Sequence, residues 1–335
     1  MTAASGLFRR LLPTGGTVAL GDDIGAVRTL VDSNTVGAVL SDLANIGSAR
    51  LVLGWPPAPV DGTDPDAFAG VVGLMPRWGV SDVLRCSAAR FIPTRLSSIL
   101  ALLAKVLEPN VLISRLVECG GRLHFGTEVS WQRVLVESGV GVLAIIDPTS
   151  PTATTEAPLN RDRATVVGSG PGNDGPIWLL HKETKFLDGV LLLRATVPLR
   201  IDTGLPTDAV VNLDTPGLLA GVPSAGYLPG DDALYNWAEG KPVLRGVEYT
   251  HDTSRLSRGE PFVAVNTPSE IDPAGPPTTA AAARCHAELS IITISPSFDG
   301  RSPLVQRLNR PALTPAYDAD VIVTESGQAD LRGAD

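Results

Sequence analysis

The sequence predicts an α/β protein built from two open sheets that are covered by helices. Two observations support this. The chain has 335 residues, about twice the size of an average domain. Short apolar runs alternate with segments that repeat apolar residues at helical spacing, which is typical of parallel sheets covered by helices. A run of small, polar and turn-forming residues at 148–176 then interrupts this alternation.

The elements before this interruption can be located individually. Strand-like runs occupy 17–21, 50–54, 110–117 and 141–147, and helical patterns occupy 24–43, 95–107 and 130–138. After the interruption, strands are expected near 190–197, 262–266, 289–295 and 320–324. We therefore predict an N-terminal domain over 1–155, a Gly/Pro-rich linker over 156–178 and a C-terminal α/β domain over 179–335.

Composition excludes several classes of function. The chain carries 27 basic and 36 acidic residues, a net charge of −9, and it has no basic run. This balance argues against a nucleic-acid partner and against binding to an anionic membrane surface. No signal peptide and no apolar span of membrane length is found, so we expect a cytoplasmic protein.

Cysteine and histidine patterns indicate neither a metal site nor a disulfide framework. Cys86, Cys119 and Cys285 lie far apart and form no CxxC pair, so we expect free, buried thiols. The four histidines are scattered without the spacing of metal ligands. Gly168 and Gly170 form only part of a dinucleotide fingerprint.

The C-terminal third carries three long motifs. Residues 320–333 read DVIVTESGQADLRG, residues 262–275 read FVAVNTPSEIDPAG, and residues 290–297 read SIITISPS. These motifs, and their order along the chain, resemble the signatures of the acetyl-CoA hydrolase/transferase family, the family I CoA transferases of the 4-hydroxybutyrate and succinyl-CoA:acetate type. Residues 234–252 also resemble a motif of this family, and looser similarity covers 91–99 and 126–147.

The resemblance implies the CoA-transferase fold, with the active site between two α/β domains, and a homodimer. It implies a short-chain acyl-CoA and a small carboxylic acid as substrates. Coenzyme A would be a substrate, and no permanently bound cofactor or metal is implied. The family reaction begins with attack of a glutamate carboxylate on the thioester and passes through an enzyme–CoA thioester. The CoA then goes to a second carboxylate or, in a hydrolase, is released by water.

The resemblance also assigns residues. The family's nucleophile motif is similar to HKETKFLDG at 181–189, so Glu183 is the predicted nucleophile, although one extra residue separates it from Asp188. Glu270 is a rival nucleophile. Asn266, Gly168, Gly170 and Gly275 are the predicted residues for binding substrate or CoA.

The chain departs from the family pattern in its glycine-rich segments. Residues 164–171 are either a shortened remnant of the glycine loop that precedes the nucleophile, or the end of the first domain with that loop deleted. The glycine-rich run that follows Gly275 in the family is replaced by proline, threonine and alanine, and Leu289 stands where the family has lysine. The sequence therefore leaves a second hypothesis open, a degenerate homologue that acts as a binding or partner subunit. An unrelated small-molecule enzyme on the same scaffold is a third.

Overall fold

A computed structural model describes the fold at residues 6, 10–21, 36–56, 59–74, 78–94, 96–154, 156–170, 209–219, 221–228, 232–258, 262–266, 270–272, 287–295, 297, 302–308 and 319–333. The described strands form two sheets, one of eight strands and one of four. Both sheets are mainly parallel, as the alternation of strand and helix patterns predicts.

The first sheet has the order β4-β3-β2-β1-β5-β7-β8, and all neighbours along this path are parallel. Strand β6 is antiparallel to β5 and forms a hairpin with it. The strands are β1 (Thr17–Leu20), β2 (Arg50–Leu53), β3 (Gly70–Gly73), β4 (Ala89–Phe91), β5 (Val111–Cys119), β6 (Arg122–Phe125), β7 (Gly141–Ile146) and β8 (Ala164–Ser169).

Helices cover both faces of this sheet because successive strand residues point to opposite sides. On one face Val18, Leu20 and Leu53 pack in one cluster with Val39 and Leu40. The described helices are α1 (Val36–Gly47), α2 (Leu96–Leu102), α3 (Gln132–Glu137), α4 (Ala209–Asp214), α5 (Asp232–Ala238), α6 (Val247–Thr250) and α7 (Thr253–Arg258). Helix α2 continues directly into a π-helical turn, Leu103–Leu107.

The opposite face is covered partly by residues from much later in the chain. Ala19, Val52 and Leu112 share one buried cluster with Ile99 of α2. The same cluster includes residues from 225–247, namely Ala225, Leu228, Leu234, Ala238, Val243, Leu244 and Val247. The segment 225–247 therefore helps to complete the core of the first sheet.

The second sheet is smaller. Its parallel strands are β9 (Phe262–Asn266), β10 (Ala287–Thr293) and β11 (Val321–Thr324), and β12 (Gly327–Asp330) forms an antiparallel hairpin with β11. The described core on this sheet consists of Ile271, Ile292, Ile294 and Ala319.

The structure confirms the predicted fold class, and the described elements agree with most predicted segments. The strands predicted at 17–21, 50–54, 110–117, 141–147, 262–266, 289–295 and 320–324 are present within a few residues. The helix predicted over 24–43 is described from Val36 onward. The strand predicted at 190–197 lies outside the described residues.

Two expectations were wrong. The interruption predicted over 148–176 contains β8, a half-exposed edge strand whose partly polar sequence lacks the apolar run of a central strand. Cys119 is exposed rather than buried, because it ends β5 where Gly120 and Gly121 turn the chain into β6; Cys86 is half-buried. The domain boundaries remain a prediction, although β8 and 225–247 both pack with the first sheet.

Candidate functional site

The order of strands indicates where a ligand would bind to the first sheet. Chain order runs outward from β1 in one direction through β2, β3 and β4, and in the other direction through β5, β7 and β8. In open α/β sheets, ligands bind beside the carboxyl ends of the strands at the point where this order reverses. This point lies between β1 and β5.

Gly21 lies at this point, directly after β1. Its amide donates to the carbonyl of Ile113 on β5 at 2.6 Å. A Cβ atom at Gly21 would lie 2.8 Å from Oε1 of Gln132 and 2.9 Å from the Ile113 carbonyl oxygen. Only glycine therefore fits here without a shift of the neighbouring groups.

A buried carboxylate, that of Glu128, is hydrogen-bonded to the side chain of Gln132. Glu128 is 1% exposed and accepts from the Thr127 hydroxyl at 2.8 Å and from Nε2 of Gln132 at 3.2 Å. Gln132 is fully buried, and its Oε1 atom has no hydrogen-bond partner. Buried carboxylates and amides are costly to desolvate, so they need hydrogen-bond partners inside the protein. The bonds among Thr127, Glu128 and Gln132 therefore hold these polar groups in place beside the turn after β1.

Aromatic residues border the cluster. The hydroxyl groups of Ser130 and Tyr227 are hydrogen-bonded to each other, and the rings of Tyr227 and Trp55 meet edge to face at 5.8 Å between centroids. Ser130 has a φ of +38°, unusual for a non-glycine residue. Its amide donates to the carbonyl of Gly226, so the chain at 226–227 holds this turn in place.

A buried ion pair lies at the carboxyl ends of β5 and β7. Nη1 of Arg115 is 3.5 Å from Oδ2 of Asp147, and both side chains are almost fully buried. The Asp147 carboxylate also accepts from the Thr149 amide at 2.8 Å, the Thr149 hydroxyl at 2.6 Å and the Ser150 hydroxyl at 2.9 Å. These bonds fix the chain that leaves β7.

The second sheet places the motif residues at one edge. The motifs at 262–275, 290–297 and 320–333 supply the neighbouring parallel strands β9, β10 and β11, so the residues that follow each strand emerge side by side. Asn266 ends β9, and its backbone carbonyl accepts from the Thr293 hydroxyl at 3.5 Å. The Nδ2 atom of Asn266 is buried and has no hydrogen-bond partner among the residues that the structure describes.

The predicted site residues are distributed over both sheets. Gly168 lies in β8, and Gly170 follows it with its amide donating to the Ile146 carbonyl at 2.9 Å; Asn266 belongs to the second sheet. Glu183 and Gly275 lie outside the described residues, and the assigned roles of all five residues remain predictions. The rival nucleophile Glu270 is half-buried.

The cluster of Glu128, Gln132, Ser130, Tyr227 and Trp55 was not predicted. Its members are spread over 55–227, and the similarity of 126–147 to the family assigns no role to the three that lie there, so only the fold brings the cluster together. Among the residues that the structure describes, no group of three or more His, Cys, Asp or Glu side chains could hold a metal ion. None of the described helices is long and apolar enough to cross a membrane.

Comparison with solved structures identifies the fold. RipA from Yersinia pestis superposes with a TM-score of 0.77 at 15% identity, over 97% of this chain and 88% of that one. A 4-hydroxybutyrate CoA-transferase from Porphyromonas gingivalis gives 0.69 at 17% identity, over 100% and 90% of the two chains. A Streptococcus mutans protein described as the alpha subunit of citrate lyase, in complex with citrate, gives 0.66 at 11% identity, over 98% and 79%.

These similarities assign a fold class. The protein shares the α/β fold of these structures, one of which is a 4-hydroxybutyrate CoA-transferase, and this is the fold that the resemblance of its C-terminal motifs implies. No family model matches the chain, and no curated protein matches it by sequence. Identities of 11–17% define the architecture alone.

Proposed function

We propose that this protein is a CoA-transferase or acyl-CoA hydrolase that moves CoA between a short-chain acyl-CoA and a carboxylate, or water. The observation that carries the proposal is the position of the three motifs. They form three adjacent parallel strands of a CoA-transferase fold, so their motif-bearing ends lie at one edge of the second sheet. Catalytic residues are commonly supplied by such strand ends.

The proposed chemistry uses the Glu183 carboxylate as nucleophile. It attacks the thioester carbonyl, the CoA thiolate leaves, and an acyl-glutamyl anhydride forms. The thiolate then attacks the glutamyl carbonyl and releases the acyl group as a carboxylate, which leaves CoA bound to Glu183 as a thioester. An acceptor carboxylate regenerates acyl-CoA by the reverse steps, whereas water releases free CoA.

Asn266 is the described residue best suited to assist this reaction. Its buried Nδ2 group has no partner in the described part of the chain, and such a donor would stabilise charge that develops on a carbonyl oxygen or hold a polar group of CoA. We assign Asn266, Gly168, Gly170 and Gly275 to substrate or CoA binding as part of the same proposal. We further propose a cytoplasmic homodimer that needs no permanently bound cofactor.

One observation favours the alternative, a homologue that binds CoA or a partner without turnover. Leu289 replaces the family's lysine and is a buried residue of β10, only 6% exposed. An apolar side chain packed there supplies no cation for a substrate phosphate or carboxylate. This alternative predicts stabilisation by CoA without transfer of CoA.

The test is an exchange assay. Purified protein is incubated with acetyl-, propionyl- or succinyl-CoA, with and without acetate, and acyl-CoA products and free CoA are separated by chromatography. Acetate-dependent formation of acetyl-CoA from propionyl- or succinyl-CoA identifies a transferase, and free CoA without acceptor identifies a hydrolase. Transfer should be abolished in Glu183→Ala and reduced severely in Glu183→Asp.

Two matched variants serve as controls. Glu118 is exposed and paired with Arg161 on the surface, so Glu118→Ala should keep full activity. Glu270→Ala tests the rival nucleophile and should also keep the exchange. Full activity in Glu183→Ala would refute the assignment of Glu183. Absence of turnover together with a CoA-dependent rise in melting temperature would instead support the binding subunit.

A further inference from the structure

A cavity opens at the edge of the first sheet opposite the strand ends described above. It has a volume of about 310 Å³ and is lined at its base by Thr17, Arg50 and Gly70, the first residues of β1, β2 and β3. These strands have four residues each, so about 10 Å separates their first and last Cα atoms, and the cavity extends from the amino edge as far as Val72, the third residue of β3. The candidate active site does not use this edge.

The cavity exists because a glycine occupies a position where a side chain would fill it. Gly70 pairs with Arg50 on β2, and a Cβ atom on Gly70 would have only the Ala88 carbonyl oxygen within reach, at 4.0 Å. The π-helical turn that follows α2 contributes Val106 and Leu107 to the wall. Val106 is 68% exposed, a large exposure for an apolar side chain beside a cavity.

The charge of this cavity differs from that of the whole chain. Among the described residues that line it, the charged side chains are Arg50 and Arg90, whereas the chain as a whole has a net charge of −9. Nη1 of Arg90 donates to the carbonyls of Ser87 at 2.6 Å and Ala89 at 2.8 Å, which fixes its guanidinium. Within the described part of the chain, neither arginine forms an ion pair with a carboxylate.

We propose that this cavity binds a medium-chain carboxylate, an anion with an apolar alkyl chain. The alkyl chain would lie along Val72, Val106 and Leu107, and the carboxylate would lie at the rim formed by Arg50 and Arg90. The volume is at the lower end of the range for small-molecule sites, so it suits a ligand of this size. The apolar walls match the alkyl chain of such a ligand, and the cationic rim matches its carboxylate.

The probes are octanoate, hexanoate and octanol, with binding measured by titration calorimetry on the full chain. Octanoate should bind more tightly than hexanoate by about fourfold for each added methylene. Octanol has the same number of carbon atoms without the charge and should bind more weakly. Arg50→Gln should weaken octanoate binding by about threefold to fivefold and leave octanol binding unchanged.

The decisive variant is Gly70→Val, which fills the cavity with a residue suited to a strand. It should reduce octanoate affinity by about tenfold or more, because the added side chain occupies the ligand volume. Gly141→Val is the matched control, since Gly141 also begins a strand and has open space around its Cβ position. This control should bind octanoate as the wild type does.

Competition with CoA separates this site from the proposed active site. Octanoate in the amino-edge cavity should remain bound at saturating CoA and in Glu183→Ala, whereas octanoate held as an acceptor acid should respond to both. Equal octanoate affinity in the wild type and in folded Gly70→Val would overturn the proposal, as would no binding at millimolar octanoate. Neither result would affect the proposed transfer of CoA.

Discussion

The buried pair of Arg115 and Asp147 should make Asp147→Asn one of the most destabilising conservative substitutions in the first sheet. The substitution keeps the shape of the side chain but removes its charge. Arg115 would then remain as a buried cation without a counter-ion, and its Nε atom already has no hydrogen-bond partner. Breaking one side of a buried pair costs about 3–5 kcal/mol.

Asp147→Asn should fall at the lower end of this range, because an amide oxygen can still accept from the Thr149 amide. We expect a loss of about 3 kcal/mol in the free energy of unfolding at neutral pH, measured by urea denaturation followed by circular dichroism. The double variant Arg115→Met/Asp147→Asn removes both charges and should be more stable than Asp147→Asn alone.

A loss below about 1 kcal/mol in Asp147→Asn would refute this reasoning, because it would mean that water or another anion already compensates Arg115. A double variant whose loss equals the sum of the single losses would also contradict it. Additivity would show that the two side chains do not interact across the 3.5 Å that separates them.

Three further predictions follow from the structure. Gly21→Ala should lower the free energy of unfolding by about 1–3 kcal/mol through its contact with Gln132, whereas Gly141→Ala, with open space, should not; urea denaturation of both variants checks this. Burial lowers the pKa of His251 from 6.5 to about 4, so the unfolded chain binds more protons between these pH values and stability is lost as the pH falls through them. Between pH 7 and pH 4.5, the free energy of unfolding of His251→Gln should therefore fall by about 2 kcal/mol less than that of the wild type, measured in parallel denaturation series. Equal losses in the two proteins would contradict the lowered pKa of His251. Asn266→Ala should reduce kcat/KM for CoA transfer by about a hundredfold with an unchanged melting temperature, because its Nδ2 group has no partner among the described residues; a large fall in melting temperature would indicate a structural role.

The sequence was most informative where strands are buried on both faces. β7 is an almost continuous apolar run, and both β1 and β5 contain one, at 18–20 and 111–113; burial of these runs in the centre of the first sheet is what they predict. β8 was missed because an edge strand needs burial on only part of its surface, so its sequence keeps polar residues and glycine. The contribution of 225–247 to the first core was missed for another reason, since no local pattern reports contacts across more than 100 residues of chain.

In the candidate site too, residues in a continuous motif could be predicted from the sequence, whereas residues brought together by packing could not. Asn266 was identified because it belongs to a continuous motif that ends a strand. The polar cluster around Glu128 and Gln132 could not be identified, because only the packing of β1, β5 and the 225–247 segment brings it next to Gly21 and Tyr227. Buried polar residues in general need partners, and these partners are distant in sequence.

The most direct test of the central claim is the intact mass of the protein after incubation with acetyl-, propionyl- or succinyl-CoA. Borohydride is added to reduce a glutamyl thioester to the alcohol, and the modified residue is then located by peptide mapping. Our account predicts modification at Glu183 that depends on acyl-CoA and is lost in Glu183→Ala. An unmodified chain, or modification at Glu270 instead, would contradict the proposed mechanism.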